Sequence, residues 1–397
     1  MSLSQRALEI TPSPTLTIDA RAKELKNAGE DVIGFGAGEP DFDTPLHIRK
    51  AAQRAIDEGF TRYTPASGIP ELKEAICEKL KKDNGLEFEP SQIVVSNGAK
   101  HSLDNVFATI LNEGDEVVIP APYWVSYPEL VKLNGGTPVI LETRRENNFK
   151  AGGDELERII TPRTKAFLLN SPGNPIGHVY TKKELENIAL LALKHQFYIV
   201  SDEIYEKLIY GKSTHISVAS LEKELQENTI IVNGVSKSYA MTGWRIGYTA
   251  SARPIASAMA GIQSHRASNP NSIAQRAALE AISGPQECVE EMRQVFAKRR
   301  DYMLDRLDSF PLITPVKPEG AFYIFVDVGE TFTKNFRGTA IGDSDNFAAT
   351  LLEHYRVAIV PGRGFGAPGY ARFSYATSFE NITRGLDRLE AFLSELA

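Results

Sequence analysis

Four groups of reactive residues follow apolar runs in this chain, and together they could carry out amine chemistry on a carbonyl. Lys237 ends TIIVNGVSK, Asp202 and Tyr205 follow FYIVS, Asn174 lies in SPGNP after KAFLLN, and Asn97-Gly98-Ala99-Lys100 follows QIVVS. A lysine is rarely left beside a core without a task, and desolvation lowers its pKa and makes the amine nucleophilic toward an aldehyde. Taken singly, such a lysine more often runs its stem along the core and keeps its charge in water. A carboxylate just after a buried strand needs a cationic or hydrogen-bonding partner, unless it simply caps a helix. Small residues opening a helix leave free N–H groups that suit a phosphate, and the same pattern also serves a plain strand-to-helix turn.

These groups meet only if their elements lie side by side. Between about residues 91 and 250 the runs QIVVS, DEVVIP, TPVIL, KAFLLN, FYIVSDEIY, NTIIVNG and WRIGYTA recur, apolar throughout as in strands buried on both faces. Segments between them, such as TKKELENIALLALKHQ, carry apolar residues at helical spacing with charges opposite. This rhythm predicts an α/β fold with a mostly parallel sheet between helices, and ligands of such sheets gather beyond the carboxyl ends of the strands. All four groups then share one cleft.

From about residue 300 the pattern changes to helix RRDYMLDRL, strand AFYIFVDV, a polar stretch near 330–344, strands VAIVPG and ARFSYAT, and a final helix. That predicts a separate α+β lobe. Residues 15–45, rich in Gly and Pro, read as loop. The expected division is a large domain over 46–300, with an N-terminal arm and small domain over 1–45 and 301–397.

Composition narrows the function. A chain of 397 residues outgrows a single core, and 42% hydrophobic with 24% charged residues is ordinary for a globular protein. The net charge of −7 disfavours nucleic acid or an anionic membrane as partner, since either needs a basic surface. Cys77 and Cys288 lie far apart outside any CxxC spacing, against a disulfide framework or thiolate metal site, and no metal is expected. No run approaches the roughly 20 apolar residues of a membrane span, and the N-terminus lacks a signal-peptide stretch, so the expected location is cytoplasmic. The glycine runs at 34–38 and 362–366 precede Glu39-Pro40 and Ala367-Pro368, so neither opens the helix that a dinucleotide site requires.

A lysine, an acid, hydrogen-bond donors and an anion site are what pyridoxal 5'-phosphate demands: an amine for its aldehyde, a carboxylate for its ring nitrogen, donors for its phenolate and a seat for its phosphate. SPGNPIG, SDEIYEKLIYG and NGVSKSYAMTGWRIGY resemble, in order and separation, the signature segments of fold-type I, class I aminotransferases. GAGEPDFDTP, RYTPASGIPELKEAI, IPAPYWVSYPELV, PEGAFYIF and RFSYATS extend the likeness over nearly the whole chain, nearest to bacterial aspartate aminotransferases of the Iβ subgroup.

The resemblance implies a large domain with a seven-stranded sheet, a homodimer with shared active sites, and a ping-pong exchange of an amino group between L-aspartate, or a similar amino acid, and 2-oxoglutarate. It implies that Lys237 carries the cofactor and shuttles the substrate proton, Asp202 pairs with the ring nitrogen, Tyr205 and Asn174 bind the phenolate oxygen, and Trp124 stacks on the ring. Gly98, Ala99, Arg245 and Tyr63 of a second subunit would bind phosphate. Arg372, Gly38 and Asn174 would hold the substrate α-carboxylate, and Lys100, with Ser13 and Thr15, the distal one.

The chain departs from the family pattern in four places. Ile176 replaces the usual Thr of Asn-Pro-Thr-Gly, Gly234 replaces a phosphate-binding serine and leaves Ser236 as substitute, and Thr11 stands where prephenate-accepting members tend to carry lysine. Arg266 replaces a small polar residue and reads as either a distal-carboxylate contact or an interface charge. Rival readings are an aromatic or kynurenine-type aminotransferase, a carbon–sulfur lyase, and a non-enzymatic sensor; the last predicts eroded catalytic groups, whereas Lys237, Asp202, Tyr205 and Arg372 are all present.

Overall fold

The computed structural model describes Ser4, Ala7, Leu8, Ile10 and residues 14–397. Seven strands, β1 Ile93–Ser96, β2 Glu116–Ala121, β3 Thr137–Glu142, β4 Thr164–Asn170, β5 Tyr198–Asp202, β6 Thr229–Gly234 and β7 Gly247–Ala250, form one sheet in the order β1-β7-β6-β5-β4-β2-β3. Every pairing is parallel except those of β7, which runs antiparallel to β1 and β6. The chain thus adopts the expected α/β architecture.

The strands read as unbroken apolar runs because helices cover both faces. Val117, Ile119, Leu168 and Val200 pack on Leu103, Phe107, Leu130 and Met259, whereas the alternate residues Val118, Phe167, Leu169 and Ile199 pack on Leu185, Ile188 and Ala192. Burying each such side chain contributes about 1.5–3 kcal/mol. Helix Lys182–His195 starts where Thr181 and Glu184 cap each other reciprocally, and it ends at Gln196 in the left-handed conformation.

A second sheet contains β8 Thr314–Val316, β9 Tyr323–Asp327, β10 Val360–Pro361 and β11 Tyr370–Ser374, all antiparallel in the order β10-β11-β9-β8. Phe296 and Met303 of helix Glu287–Asp308, Phe347 and Leu351 of Ser344–Tyr355, and Leu386 and Leu389 of Phe379–Ser394 build its core. Among the described residues no helix is long and apolar enough to cross a membrane.

Three sequence expectations need correction. Residues 15–45 are not all loop, because Pro14–Asn27 is a helix. Its Ile18, Ala22 and Leu25 recur at helical spacing and pack on Val32, Leu352 and Ala358, so tertiary burial outweighs a polar, β-branched start. The helix containing RRDYMLDRL already begins at Glu287. VAIVPG is two short strands: Val357–Ala358 pairs in parallel with Ile33–Gly34, and β10 pairs with β11.

The segment after Gly34 then runs as a strap across the molecule. Its Asp41 forms a two-pronged ion pair with Arg299 at 2.7 and 3.0 Å, and Thr44 Oγ1 donates to the Ala240 carbonyl and accepts from Trp244 Nε1.

Candidate active site

Strands β4, β5 and β6 deliver their carboxyl ends to a cavity of about 340 Å³. Asp202 is the last residue of β5 and stands in register with Asn170, the last of β4. The Asp202 carboxylate is buried and satisfied: Tyr127 Oη donates to Oδ2 at 2.7 Å and the Ile204 N–H to Oδ1 at 3.2 Å. Burial pushes this carboxyl up to about 6, and the two donors hold it down against that rise. Near neutral pH it is an anion facing the cavity.

Lys237 lies three residues past β6, and its Nζ donates to the Gly38 carbonyl of the strap at 2.5 Å. Desolvation in the cleft, with Arg372 and Arg245 nearby, lowers the amine to about 8 despite the pull of Glu39 and Asp202. A lysine so placed keeps a far larger neutral, nucleophilic fraction near physiological pH than a free lysine does. Tyr205 and Tyr323 hydroxyls lie 3.0 Å apart, both buried, and burial raises both phenols above their ordinary value.

Arg372 lies in the middle of β11 and is 3% exposed. Its Nη1 donates to Asn174 Oδ1 at 3.0 Å and Nη2 to the Gly36 carbonyl at 2.9 Å, while Nε is buried without a partner. The guanidinium rests on the Tyr323 and Phe365 rings at 4.3 and 5.0 Å. A planar cation held this way is built to receive a carboxylate. Because Asn174 spends its oxygen on Arg372, its amide N–H₂ is left for the cavity.

At the other end, helix Ala99–Ile110 begins behind Gly98, whose φ of +88° suits glycine. A Cβ on Gly98 would stand 2.3 Å from Arg245 Nη2, and one on Gly247 2.3 Å from the Ala99 N, so both glycines keep this cradle open. Arg245 is exposed, holds the Thr242 and Asn97 carbonyls at 2.8 and 3.3 Å, and lines the cavity with Ala99 and Ser236. Gly234 has a steric reason: in register with Gly247, it would bring a Cβ within 2.9 Å of that residue's Cα. Lys100 reaches over the Trp124 ring at 5.0 Å, and Trp124 stands edge-on to Tyr127.

Lys237, Asp202, Tyr205, Asn174, Trp124, Ala99, Arg245, Arg372, Gly38 and Lys100 therefore come together. Tyr63 does not line its own chain's cavity and is 89% exposed. Thr15 lies on helix Pro14–Asn27, with its side chain outside the described residues, as are Ser13 and Thr11. Arg266 is not part of the lining: its two ends bind Asp104 at 2.7 Å and Asn134 at 3.2 Å. Ile176 is buried among Phe149, Val316, Phe325, Val360 and Phe365, an apolar setting that explains the missing hydroxyl. Sequence reasoning missed Tyr127, Tyr323 and Asn170. Tyr127 could have been found from its i+3 spacing to Trp124 and Asn170 from its place as the polar end of the run KAFLLN, whereas nothing local marks Tyr323.

Comparison with known proteins agrees with this geometry. Residues 30–389 match the family model for aminotransferase class I and II. The aspartate aminotransferase of Geobacillus stearothermophilus is 52% identical over 397 residues, covering 100% of both chains. The crystal structure of the aspartate aminotransferase from Rhizobium meliloti superposes with a TM-score of 0.97 at 41% identity, covering 100% of both chains. The Thermus thermophilus aspartate aminotransferase with maleate gives a TM-score of 0.93 at 44% identity, covering 99% of this chain and 100% of that one. A full-length match of this strength, on a cleft with this arrangement of amine, acid and arginine, means that the chain belongs to the class I and II aminotransferase family.

Proposed function

We propose that the chain is an aspartate aminotransferase that carries pyridoxal 5'-phosphate on Lys237 and exchanges an amino group between L-aspartate and 2-oxoglutarate. One observation carries the reading: the lowered amine of Lys237, the carboxylate of Asp202 and the buried fork of Arg372 all face a single cavity. The donor set fits the cofactor. Lys237 would hold its aldehyde, Asp202 its ring nitrogen, Tyr205 and the Asn174 amide its phenolate oxygen, and Gly98, Ala99 and Arg245 its phosphate in a cradle that a Cβ would fill.

When bound, the pyridoxal ring supplies the sink for the electron pair left at the substrate Cα. The remaining work falls to this chain's residues. Asp202, ionised above about 6, keeps a proton on the ring nitrogen. Arg372, with its unpartnered Nε, takes the α-carboxylate and orients the Cα–H bond. Lys237 Nζ, seated in the same cavity, would accept that proton from the substrate Cα and hold it for return. Lys100 at the Trp124 face supplies a cation for the second carboxylate of aspartate.

We further infer a homodimer, with Tyr63, exposed and outside its own chain's cavity, serving the phosphate of the second subunit. The division into 46–300 and 1–45 plus 301–397 follows the seven-stranded and four-stranded sheets, with helix Glu287–Asp308 crossing its boundary and packing Phe296 into the smaller unit. Two free cysteines suit a cytoplasmic setting.

Incubating the chain with pyridoxal 5'-phosphate, aspartate and 2-oxoglutarate tests the reading. Oxaloacetate formation is the expected result. Pyruvate with ammonia or sulfide from cysteine-like donors would indicate a lyase, faster turnover of aromatic or kynurenine-type donors would indicate that subgroup, and no turnover would leave only a sensor.

A further inference from the structure

We propose that Asn170 is a positioning residue that sets the spacing between the acid end and the carboxylate end of the cavity. This inference rests on the function read above for its meaning, but its geometry stands alone. Asn170 ends β4 in register with Asp202, and its amide is spent on both sides. Nδ2 donates to the Asp202 carbonyl at 3.0 Å, and Oδ1 accepts from the Asn174 N–H at 2.9 Å.

The consequences run outward from those two bonds. Asp202 cannot shift along its strand without pulling Asn170, and Asn174 in turn holds Arg372 Nη1 at 3.0 Å. One planar amide therefore lies between the residue assigned to the ring nitrogen and the pair assigned to the substrate carboxylate. The loop that carries Asn174 is also held elsewhere: the Ser171 N–H donates to the Asp202 carbonyl at 3.3 Å, the Gly173 N–H to the His178 carbonyl at 3.0 Å, and the Gly177 carbonyl accepts from the Glu319 and Gly320 N–H groups at 2.8 and 2.7 Å. With both ends of the loop so anchored, Asn170 is the side chain that joins the Asn174 backbone to Asp202. Asn170 also borders the cavity, so no side chain lies between it and a bound ligand's space. Preorganisation of this kind acts on binding geometry, where small displacements weigh heavily.

The two ends of the amide call for two readouts. Dissociation constants of the purified holoenzyme for succinate, a non-reacting dicarboxylate, report the Asn174–Arg372 side. The affinity of the cofactor-free chain for pyridoxal 5'-phosphate, by fluorescence quenching, reports the Asp202 side. Asn170→Ala, which loses both bonds, should weaken each by about fivefold to tenfold. Asn170→Asp keeps an oxygen for the Asn174 N–H and loses the donor to Asp202; it should hold succinate within about twofold of wild type and still lose cofactor affinity by about fivefold. Wild-type affinities in Asn170→Ala, or equal losses on both sides in Asn170→Asp, would overturn the proposal. If Asn170→Ala does not fold, the split or its absence in Asn170→Asp decides alone. A split in binding together with a wild-type chain inert toward aspartate would sink the functional reading and leave the positioning role standing.

Discussion

The Tyr127 hydroxyl donates a 2.7 Å hydrogen bond to Oδ2 of Asp202 across 75 positions of sequence, and its ring stands edge-on to Trp124 at 5.2 Å. One buried side chain thereby ties the acid at the end of β5 to the aromatic wall of the cavity. Since burial pushes Asp202 up and this bond holds it down, Tyr127 sets how far into the acid range the carboxylate stays ionised.

Tyr127→Phe should therefore move Asp202 upward from about 6. Activity that needs the anion would be lost at higher pH than in the wild type, and kcat/KM at neutral pH should drop about tenfold, the value of one hydrogen bond to a charged group. A pH–rate profile with an unshifted acid limb would show that the bond is structural only.

Lys237 titrates near 8 in the folded chain against 10.5 for the free side chain, so the folded state disfavours its charge. The penalty is complete below the folded value and disappears above the unfolded one, where the amine is neutral in both states. The cofactor-free Lys237→Met variant should thus be more stable than the cofactor-free wild type at pH 7 by on the order of 2 kcal/mol, with the gain fading as pH rises from 8 to 10.5. Chemical denaturation at several pH values checks this. The same variant should show no transamination.

Lys100→Ala removes the cation above Trp124. The expected loss in kcat/KM is roughly thirtyfold for aspartate, with alanine and phenylalanine nearly unaffected, since a charge-assisted contact contributes on the order of 2 kcal/mol. An equal loss for all donors would reassign Lys100 to the phosphate or the fold.

Ile176→Thr restores the family residue and places a hydroxyl among Phe149, Phe325 and Phe365. Thermal unfolding should show a loss of about 1–3 kcal/mol, from a lost methyl contact and an unpaired polar group, while turnover per folded molecule stays near wild type. A gain in stability would mean that the loop, not the apolar cluster, governs this position.

Much of the cavity is legible in the sequence because its residues sit at the ends of strands that announce themselves. QIVVS, KAFLLN, FYIVS and TIIVNG are apolar without alternation, which marks two-sided burial, and the residues after them must emerge on one edge of a parallel sheet. Lys237, Asp202 and the Gly98 turn could be placed together on that ground. Arg372, Tyr63 and Lys100 drew their roles from family likeness, since an arginine in ARFSYAT has no local sign of burial. Helix Pro14–Asn27 is hidden by the Gly and Pro content of 15–45 taken as one stretch, although the spacing of Ile18, Ala22 and Leu25 marks it.

Sequence by itself determined the sheet, the chemistry of the residues at its edge and the family, because strand periodicity and residue type are local properties. Tertiary structure alone decided which groups neutralise and steer one another: Tyr127 on Asp202, Gly38 on Lys237, Asn174 and Tyr323 on Arg372, and Arg266 drawn away to Asp104. Those pairings join residues from about fifty to two hundred positions apart, and hydrogen bonds and desolvation act through distances of a few ångströms that no local pattern encodes.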